Sequence, residues 1–175
     1  MTPIGPGVVA VRVSLVLVIA LVFEVSIAPM FRLFGVQGDL MLLIGIGAGL
    51  AAGPDRGAAI GFASGLAYDL MLQTPFGLSA LTYALVAFVV GSLQDSVLRA
   101  AWWIPVATAA AGSVVGVILY AVFGTMVGVA FVGVSIPKVA IIVGLLNAIA
   151  ATPVIRVVRW ATGTEGSVRA RAVYR

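Results

Sequence analysis

The chain has 175 residues, of which 62% are hydrophobic and only 9% are charged, and its formal net charge is +4. About a quarter of the residues are charged in an ordinary soluble domain, so this composition excludes that class and indicates a protein surrounded mainly by lipid. Cysteine and histidine are absent, which excludes disulfides within the chain, thiolate or imidazole metal sites, and Cys/His or Ser/His catalysis. The basic residues lie between apolar runs and near the C-terminus rather than along one aromatic-rich face, so nucleic-acid binding is not expected.

Six apolar runs follow one another along the chain, and turn signals separate them. A bilayer-spanning helix needs about 20 mostly apolar residues, or somewhat fewer where flanking polar side chains reach the interface. We therefore predict an all-α membrane protein in which residues 1–162 form one bundle of six transmembrane helices. The predicted helices cover residues 8–28, 39–52, 57–72, 76–93, 101–129 and 136–160.

Two of these runs allow another interpretation. The first resembles a secretory signal peptide, but Pro29 directly follows the small-residue segment 26–28 and makes cleavage there unattractive, so we expect a retained helix. The second and third runs could form one long segment, but Gly53-Pro54-Asp55-Arg56 is typical of a turn and predicts a hairpin. The third and fourth helices are joined by Gln73-Thr74-Pro75 alone, which predicts a tight antiparallel pair.

Basic residues are distributed unequally between the two sides of this arrangement. Arg32 and Lys138 lie on one side, and eight of the ten basic residues lie on the side that carries both termini. Cytoplasmic loops of membrane proteins are enriched in Lys and Arg, so we predict that both termini are cytoplasmic. The short basic tail, residues 163–175, has two interpretations: a disordered anchor attracted to anionic membrane lipids, and a folded partner site. The eight basic residues on the side that carries both termini are Arg12, Arg56, Arg99, Arg156, Arg159, Arg169, Arg171 and Arg175.

Glycines recur every four residues in three of the predicted helices. Small residues at this spacing let helix backbones approach closely, which compensates for the weak hydrophobic drive between helices in lipid. The pattern fits internal packing of a compact bundle, and it also fits a dimerisation surface. The glycines are Gly45, Gly49 and Gly53, then Gly57, Gly61 and Gly65, and then Gly112, Gly116, Gly124 and Gly128.

Polar side chains at membrane depth are the most informative residues, because placing each of them near the bilayer centre costs a few kcal/mol of free energy. Counted along the predicted helices, Glu24 and Asp69 fall in the outer half of the membrane and Asn147 falls near the midplane. One interpretation is a polar pocket or a contact with a partner protein. The other is a structural clamp in which loop amides, a tyrosine or a nearby basic residue satisfy the carboxylates. We find no phosphate-binding glycine loop with lysine and no catalytic carboxylate pair, so neither an enzyme nor a cofactor is expected.

The segment 61–81 carries a family signature. It reads GFASGLAYDL and then MLQTPFGLSAL, which resembles the GxxxGLxxDLxxxxPLGLxAL pattern of the rod shape-determining protein MreD family, with Phe76 in place of leucine. Earlier in the chain, Phe34-Gly35 and then Gly38-Asp39-Leu40 resemble that family's FG…PDL entry to helix two, with Gly38 in place of proline. The segment 147–153, NAIAATP, is similar to the NxxxxxP of its last helix.

The resemblance implies a non-catalytic scaffold of the cell-elongation complex, which builds the lateral peptidoglycan wall and maintains rod shape. Its implied partners are an MreC-like bitopic shape protein and the peptidoglycan glycosyltransferase and transpeptidase of elongation. The implied fold is similar to the substrate-binding subunits of energy-coupling-factor transporters. In this frame we expect Asp69, Pro75 and Gly77 to set the hairpin between helices three and four, and Asp39 to start helix two. Glu24 stands where a neutral amide is expected.

The sequence also allows a function from another class of protein, that of a transporter subunit. A transporter subunit of the same implied fold would capture a vitamin-sized ligand in an outward-facing cavity. Such subunits dock through alanines four residues apart on helix one, whereas this chain has Ala10, Ala20 and Ala28 there and lacks that row.

Overall fold

A computed structural model describes residues 5–71, 75–94, 103–129 and 135–164. Over these ranges the chain forms six α-helices and one short 3₁₀ helix, and it forms no β-strand there. The helices are α1 (Pro6–Ser26), α2 (Leu40–Ala52), α3 (Pro54–Met71), α4 (Leu78–Ser92), α5 (Ile104–Met126) and α6 (Ile136–Thr162), with the 3₁₀ helix at Ala28–Phe31. The prediction of an all-α bundle with six helices is therefore confirmed over the described ranges. Gln73, Thr74, Arg99, Trp102 and the tail from residue 165 onward lie outside them.

The described helices differ in their capacity to cross a bilayer. Three of them, α1, α5 and α6, have 21, 23 and 27 residues and are apolar enough to span, which at 1.5 Å per residue corresponds to about 32–40 Å. The apolar helix α2 has 13 residues and is therefore only about 20 Å long, against a hydrocarbon core of about 30 Å. This helix reaches only part of the way across.

The turn between α2 and α3 is shorter than the sequence suggested. We expected residues 53–56 to form the turn, but Gly53 alone separates the two helices, and α3 begins at Pro54 instead of at residue 57. Gly53 has a φ of 88°, which glycine adopts without steric cost. Proline is favoured in the first turn of a helix because its missing N–H would have no partner there, so Pro54 extends α3 instead of delaying it.

Three other helix boundaries differ from the predicted ones, and each lies at or near a glycine with a positive φ. Gly77 has a φ of 90° and precedes α4, which begins at Leu78 and not at residue 76. The helix α5 ends at Met126, before Gly128 with a φ of 83°, and not at residue 129. The helix α6 continues to Thr162 and ends at Gly163, which is left-handed with a φ of 71°.

The short helix α2 is the centre of the bundle. It packs against each of the five other described helices, and its residues from Met41 to Leu50 are all buried. Its side chains Met41, Leu42, Leu43, Ile46 and Leu50 are the largest apolar side chains that are almost completely buried among the described residues. The helix α1 lies at the periphery, where it contacts α2, α3 and α6.

The helices α2, α3 and α4 approach one another through glycine. A Cβ added at Gly57 would lie 2.5 Å from Gly49 Cα, and one added at Gly61 would lie 2.7 Å from the carbonyl oxygen of Tyr83. At Gly65 the added atom would lie 2.5 Å from Ala80 Cα. These distances leave no room for a side chain, so the α3 glycines pack directly against the backbones of α2 and α4 in the same chain.

Candidate functional site

A group of polar side chains from four helices surrounds the start of α2. We call this group, Glu24, Asp39, Tyr83, Ser113 and Asn147, the α2 entry cluster. Asp39 is the N-cap of α2, and its Oδ1 accepts a hydrogen bond of 2.8 Å from the backbone N–H of Leu42. Its Oδ2 accepts a hydrogen bond from the Tyr83 hydroxyl of α4. The cap therefore also connects α2 to α4.

Asn147 connects the same point to α6 and α5. Its Oδ1 accepts from the backbone N–H of Asp39 at 3.1 Å, and its Nδ2 donates to the carbonyl oxygen of Asp39 at 3.0 Å. The same Nδ2 donates to Ser113 Oγ at 2.8 Å, and Ser113 in turn donates to the carbonyl of Ala109 in its own helix. The amide of Asn147 thus joins three segments of the chain.

Glu24 brings α1 to this point. Its Oε2 accepts a hydrogen bond of 2.8 Å from the backbone N–H of Leu40, the first residue of α2. The side chain is 1% exposed, and its Oε1 has no hydrogen-bond partner among the described residues. The first amide of α2 thus satisfies one oxygen of Glu24.

The arrangement satisfies a helix end that lipid could not satisfy. The first turn of a helix carries backbone N–H groups without intrahelical partners, and no water is available within the bilayer core to bind them. Glu24 and Asp39 accept from two of these groups, and carboxyl groups are also favoured at the positive end of the helix dipole. The α2 entry cluster therefore allows a helix of only 13 residues to begin inside the bundle.

Asp69 forms a second, separate connection at the start of α4. It projects from α3, and its Oδ2 accepts from the backbone N–H groups of Gly77 at 2.9 Å, Ser79 at 3.1 Å and Ala80 at 3.3 Å. The turn is closed by a hydrogen bond of 3.1 Å from the Leu78 N–H to the carbonyl of Pro75. Asp69 thus caps the first turn of a neighbouring helix rather than of its own.

A cavity of about 330 Å³ lies beside the α2 entry cluster. Asp39 and Tyr83 belong to both, and the tyrosine rings of Tyr68 and Tyr83 lie 6.2 Å apart between centroids. The other walls come from the loop before α2 and from α5 and α6. The lining residues are Gly35, Val36, Gln37, Gly38, Asp39, Leu42, Tyr68, Tyr83, Gly116, Val117, Tyr120, Val139 and Val143.

Cation–aromatic contacts mark the two ends of the bundle. Near the start of α1, the guanidinium carbon of Arg12 lies 4.8 Å from the centre of the Trp160 ring, close to the end of α6. At the other end, Lys138 Nζ lies 5.8 Å from the centre of the Phe34 ring. The start of α1 and the end of α6 therefore lie at the same end of the bundle, and the start of α6 lies with the loop before α2.

The site residues predicted from the sequence lie in three separate parts of the structure. Glu24, Asp39 and Asn147 meet at the α2 entry cluster, whereas Asp69, Pro75 and Gly77 form the α3–α4 connection. The glycines of α3 lie on its packed face. Sequence reasoning missed Tyr83 and Ser113, and the available signal was weak: both are buried, but serine or threonine recurs elsewhere in the same two helices.

Comparison with known proteins identifies the family. A family model described as rod shape-determining protein MreD matches residues 7–159, which include all six described helices except the first residue of α1 and the last three of α6. No curated protein and no solved structure matches the chain. The match covers most of the sequence and agrees with the bundle of apolar helices. The chain therefore belongs to the MreD family of membrane proteins, and this membership implies a role in determining rod shape.

Proposed function

We propose that this protein is a non-catalytic membrane scaffold of the machinery that elongates the lateral peptidoglycan wall. It binds an MreC-like bitopic shape protein, together with the glycosyltransferase and transpeptidase that build the wall. Family membership carries the proposal. The chemistry of the polar residues supports it, because Asp39, Asp69 and Asn147 are engaged with backbone groups that begin α2 and α4.

The exposed face of α1 is the docking surface that we assign to the bitopic partner. Of the described residues of α1, Ala20 and Glu24 alone are buried. Apolar side chains on the opposite face recur at alternating spacings of four and three residues, which is the spacing that a left-handed pair of helices uses. This α1 stripe consists of Val11, Leu15, Val18, Val22 and Val25. A single transmembrane helix of a bitopic protein has the shape to pack along it.

The orientation that we propose places both termini in the cytoplasm. Eight of the ten basic residues lie on the terminal side in the six-helix arrangement, and the contact of Arg12 with Trp160 supports placing both chain ends at one end of the bundle. In this orientation the α2 entry cluster faces the outer half of the membrane.

The test of function is depletion of the protein in its source organism, followed by rescue. Depletion should round the cells and delocalise new wall synthesis, while the isolated synthases keep their activities, because a scaffold acts through the effective concentration of its partners. Rescue with Val18→Trp on the α1 stripe should fail or be partial, and the bitopic partner should no longer co-purify. Leu145→Trp, on the exposed face of α6, is the matched control and should rescue fully.

A vitamin-transporter subunit is the second candidate, and the cavity of about 330 Å³ is the observation in its favour. The same depletion strain distinguishes the two functions. Unchanged cell shape and synthase position, together with collapsed uptake of one vitamin from a panel, would refute the scaffold and support the transporter.

A further inference from the structure

The cavity beside the α2 entry cluster has a lining that specifies one class of ligand. We infer that it binds a primary alkylammonium group, which is a protonated amine on a short apolar stem. A free small amine and the ethanolamine headgroup of a phospholipid both offer this chemistry. The inference concerns the cavity alone and does not depend on the scaffold function.

The polar part of the lining offers hydrogen-bond acceptors. Asp39 and Gln37 belong to the lining, and the buried Oε1 atom of Gln37 has no hydrogen-bond partner among the described residues. The Tyr83 hydroxyl donates its proton to Asp39 and therefore presents only acceptor lone pairs to a ligand. A ligand that supplies several N–H donors complements these groups, and an ammonium supplies three.

The charge near the cavity also favours a cation. The carboxyl groups of Glu24 and Asp39 meet at the first turn of α2, so the ionisable side chains of the α2 entry cluster beside the cavity are acidic. No lysine or arginine lines the cavity as the described residues form it. The Nζ atom of Lys138 at this end of the bundle is instead placed over the ring of Phe34.

The remaining walls match a cation with a short apolar stem. Tyr68, Tyr83 and Tyr120 line the cavity, and aromatic faces attract an ammonium within about 6 Å through their electron-rich centres. Val117 and Val139 supply apolar wall. A volume of about 330 Å³ lies at the small end of the range of about 300–1,000 Å³ found for ligand pockets, so the ligand is small or enters with its headgroup only.

The first experiment measures thermal unfolding of the purified full-length protein in detergent micelles. We would titrate n-butylammonium chloride against n-butanol and sodium butyrate at constant ionic strength. A ligand that binds only the folded protein raises the unfolding midpoint, and above its dissociation constant the rise continues with the logarithm of the ligand concentration. We expect this dependence for n-butylammonium alone. An equal rise with n-butanol would overturn the inference, because it would show an apolar cavity without charge recognition.

Three variants locate the binding. Asp39→Asn keeps an oxygen for the Leu42 N–H but removes the carboxylate, so the dissociation constant for n-butylammonium should rise at least about tenfold, equivalent to about 1.4 kcal/mol. Val139→Phe fills the cavity without altering the α2 entry cluster and should abolish binding. Val122→Phe, on the exposed face of α5, is the matched control and should bind like the unaltered protein. Unchanged binding by both Asp39→Asn and Val139→Phe would place the amine elsewhere and refute the site.

A second experiment distinguishes the two sources of the ammonium group. The protein is reconstituted in nanodiscs that contain phosphatidylethanolamine or phosphatidylglycerol, and lipids that stay bound are counted by native mass spectrometry. Retention of phosphatidylethanolamine by the unaltered protein but not by Val139→Phe assigns the site to a lipid headgroup. Binding of n-butylammonium without such retention assigns it to a free amine. A protein that shows neither result refutes the inference.

Discussion

Asn147 and Asp39 exchange a reciprocal pair of hydrogen bonds, although 108 positions separate them in the chain. The side-chain amide of Asn147 accepts from the Asp39 N–H and donates to the Asp39 carbonyl, so it binds the backbone of Asp39 as a neighbouring β-strand would. The amide of Asn147 is removed from water, since this residue is 2% exposed. Through this pair α6 holds the first residue of α2 in place.

Replacing Asn147 should therefore destabilise the bundle strongly. Asn147→Leu leaves the Asp39 N–H without its acceptor, at a cost of about 1–3 kcal/mol for a buried group, whereas the Asp39 carbonyl keeps the hydrogen bond from the Leu43 N–H. We expect a lower midpoint of thermal unfolding in micelles. Ser92→Ala is the matched control, because Ser92 is exposed and donates only to a carbonyl of its own helix. Equal midpoints for the two variants would contradict the role of Asn147.

Asp69→Leu should impair assembly more than Glu24→Gln. The leucine removes the acceptor for the amides of Gly77, Ser79 and Ala80 at once, whereas glutamine keeps an oxygen for the single amide of Leu40 that Glu24 binds. Membrane levels and recovery of the bitopic partner after mild solubilisation are the measurements. Asp69→Asn, which also keeps an oxygen, should be intermediate. Normal levels and normal partner recovery for Asp69→Leu would refute this ranking.

Side chains larger than hydrogen should not be tolerated at Gly61. A Cβ there would lie 2.7 Å from the Tyr83 carbonyl oxygen, so Gly61→Val must separate α3 from α4, and we expect a cost at the upper end of the about 1–3 kcal/mol typical of overpacking. Gly7→Val is the control, since a Cβ at Gly7 would meet nothing within 4 Å. Thermal unfolding of the two variants in micelles measures the difference, and similar midpoints would show that the helices can separate freely.

The proposed orientation can be tested directly because the chain contains no cysteine. Single cysteines at Ser96 and Ser167 should be shielded from an impermeant thiol reagent added to intact cells, and one at Gln37 should react. Phe34 offers a better site on the same loop, because its side chain is 79% exposed whereas Gln37 is partly buried. Labelling at Ser167 with none at Phe34 would reverse the orientation.

The parts of the fold that could be predicted are those encoded locally. Gly53 and Pro54 mark a turn by backbone geometry alone, and Asp39 before an apolar run is a typical N-cap. The four-residue spacing of Gly57, Gly61 and Gly65 likewise predicts a face of close approach, although the sequence alone could not say which helices would meet there.

The α2 entry cluster could not be predicted, because its members are far apart in the chain and lie in nearly uniform apolar helices. In a soluble helix the polar face shows which side is buried. In α1 the side that faces the bundle and the side that faces lipid are both apolar, so nothing in the run around Glu24 indicates the direction of its side chain. The directions of the Tyr83 and Ser113 side chains cannot be predicted for the same reason. Only the packed structure shows that they contact Asp39 and Asn147.

The short central helix has a consequence for how the protein is made. Asp39 leaves the ribosome 108 residues before Asn147, a delay of about 5–20 s at about 5–20 residues per second. During that time α2, about 20 Å long, cannot span the bilayer alone, and the N–H of its N-cap residue Asp39 lacks the acceptor that Asn147 of α6 later supplies. Insertion cannot therefore proceed as a series of independently stable helices, and the nascent α2–α3 hairpin needs a protected, partly polar environment at the insertion machinery until the last helix arrives. Chains truncated before α6 are consequently expected to be substrates for membrane proteases rather than stable fragments.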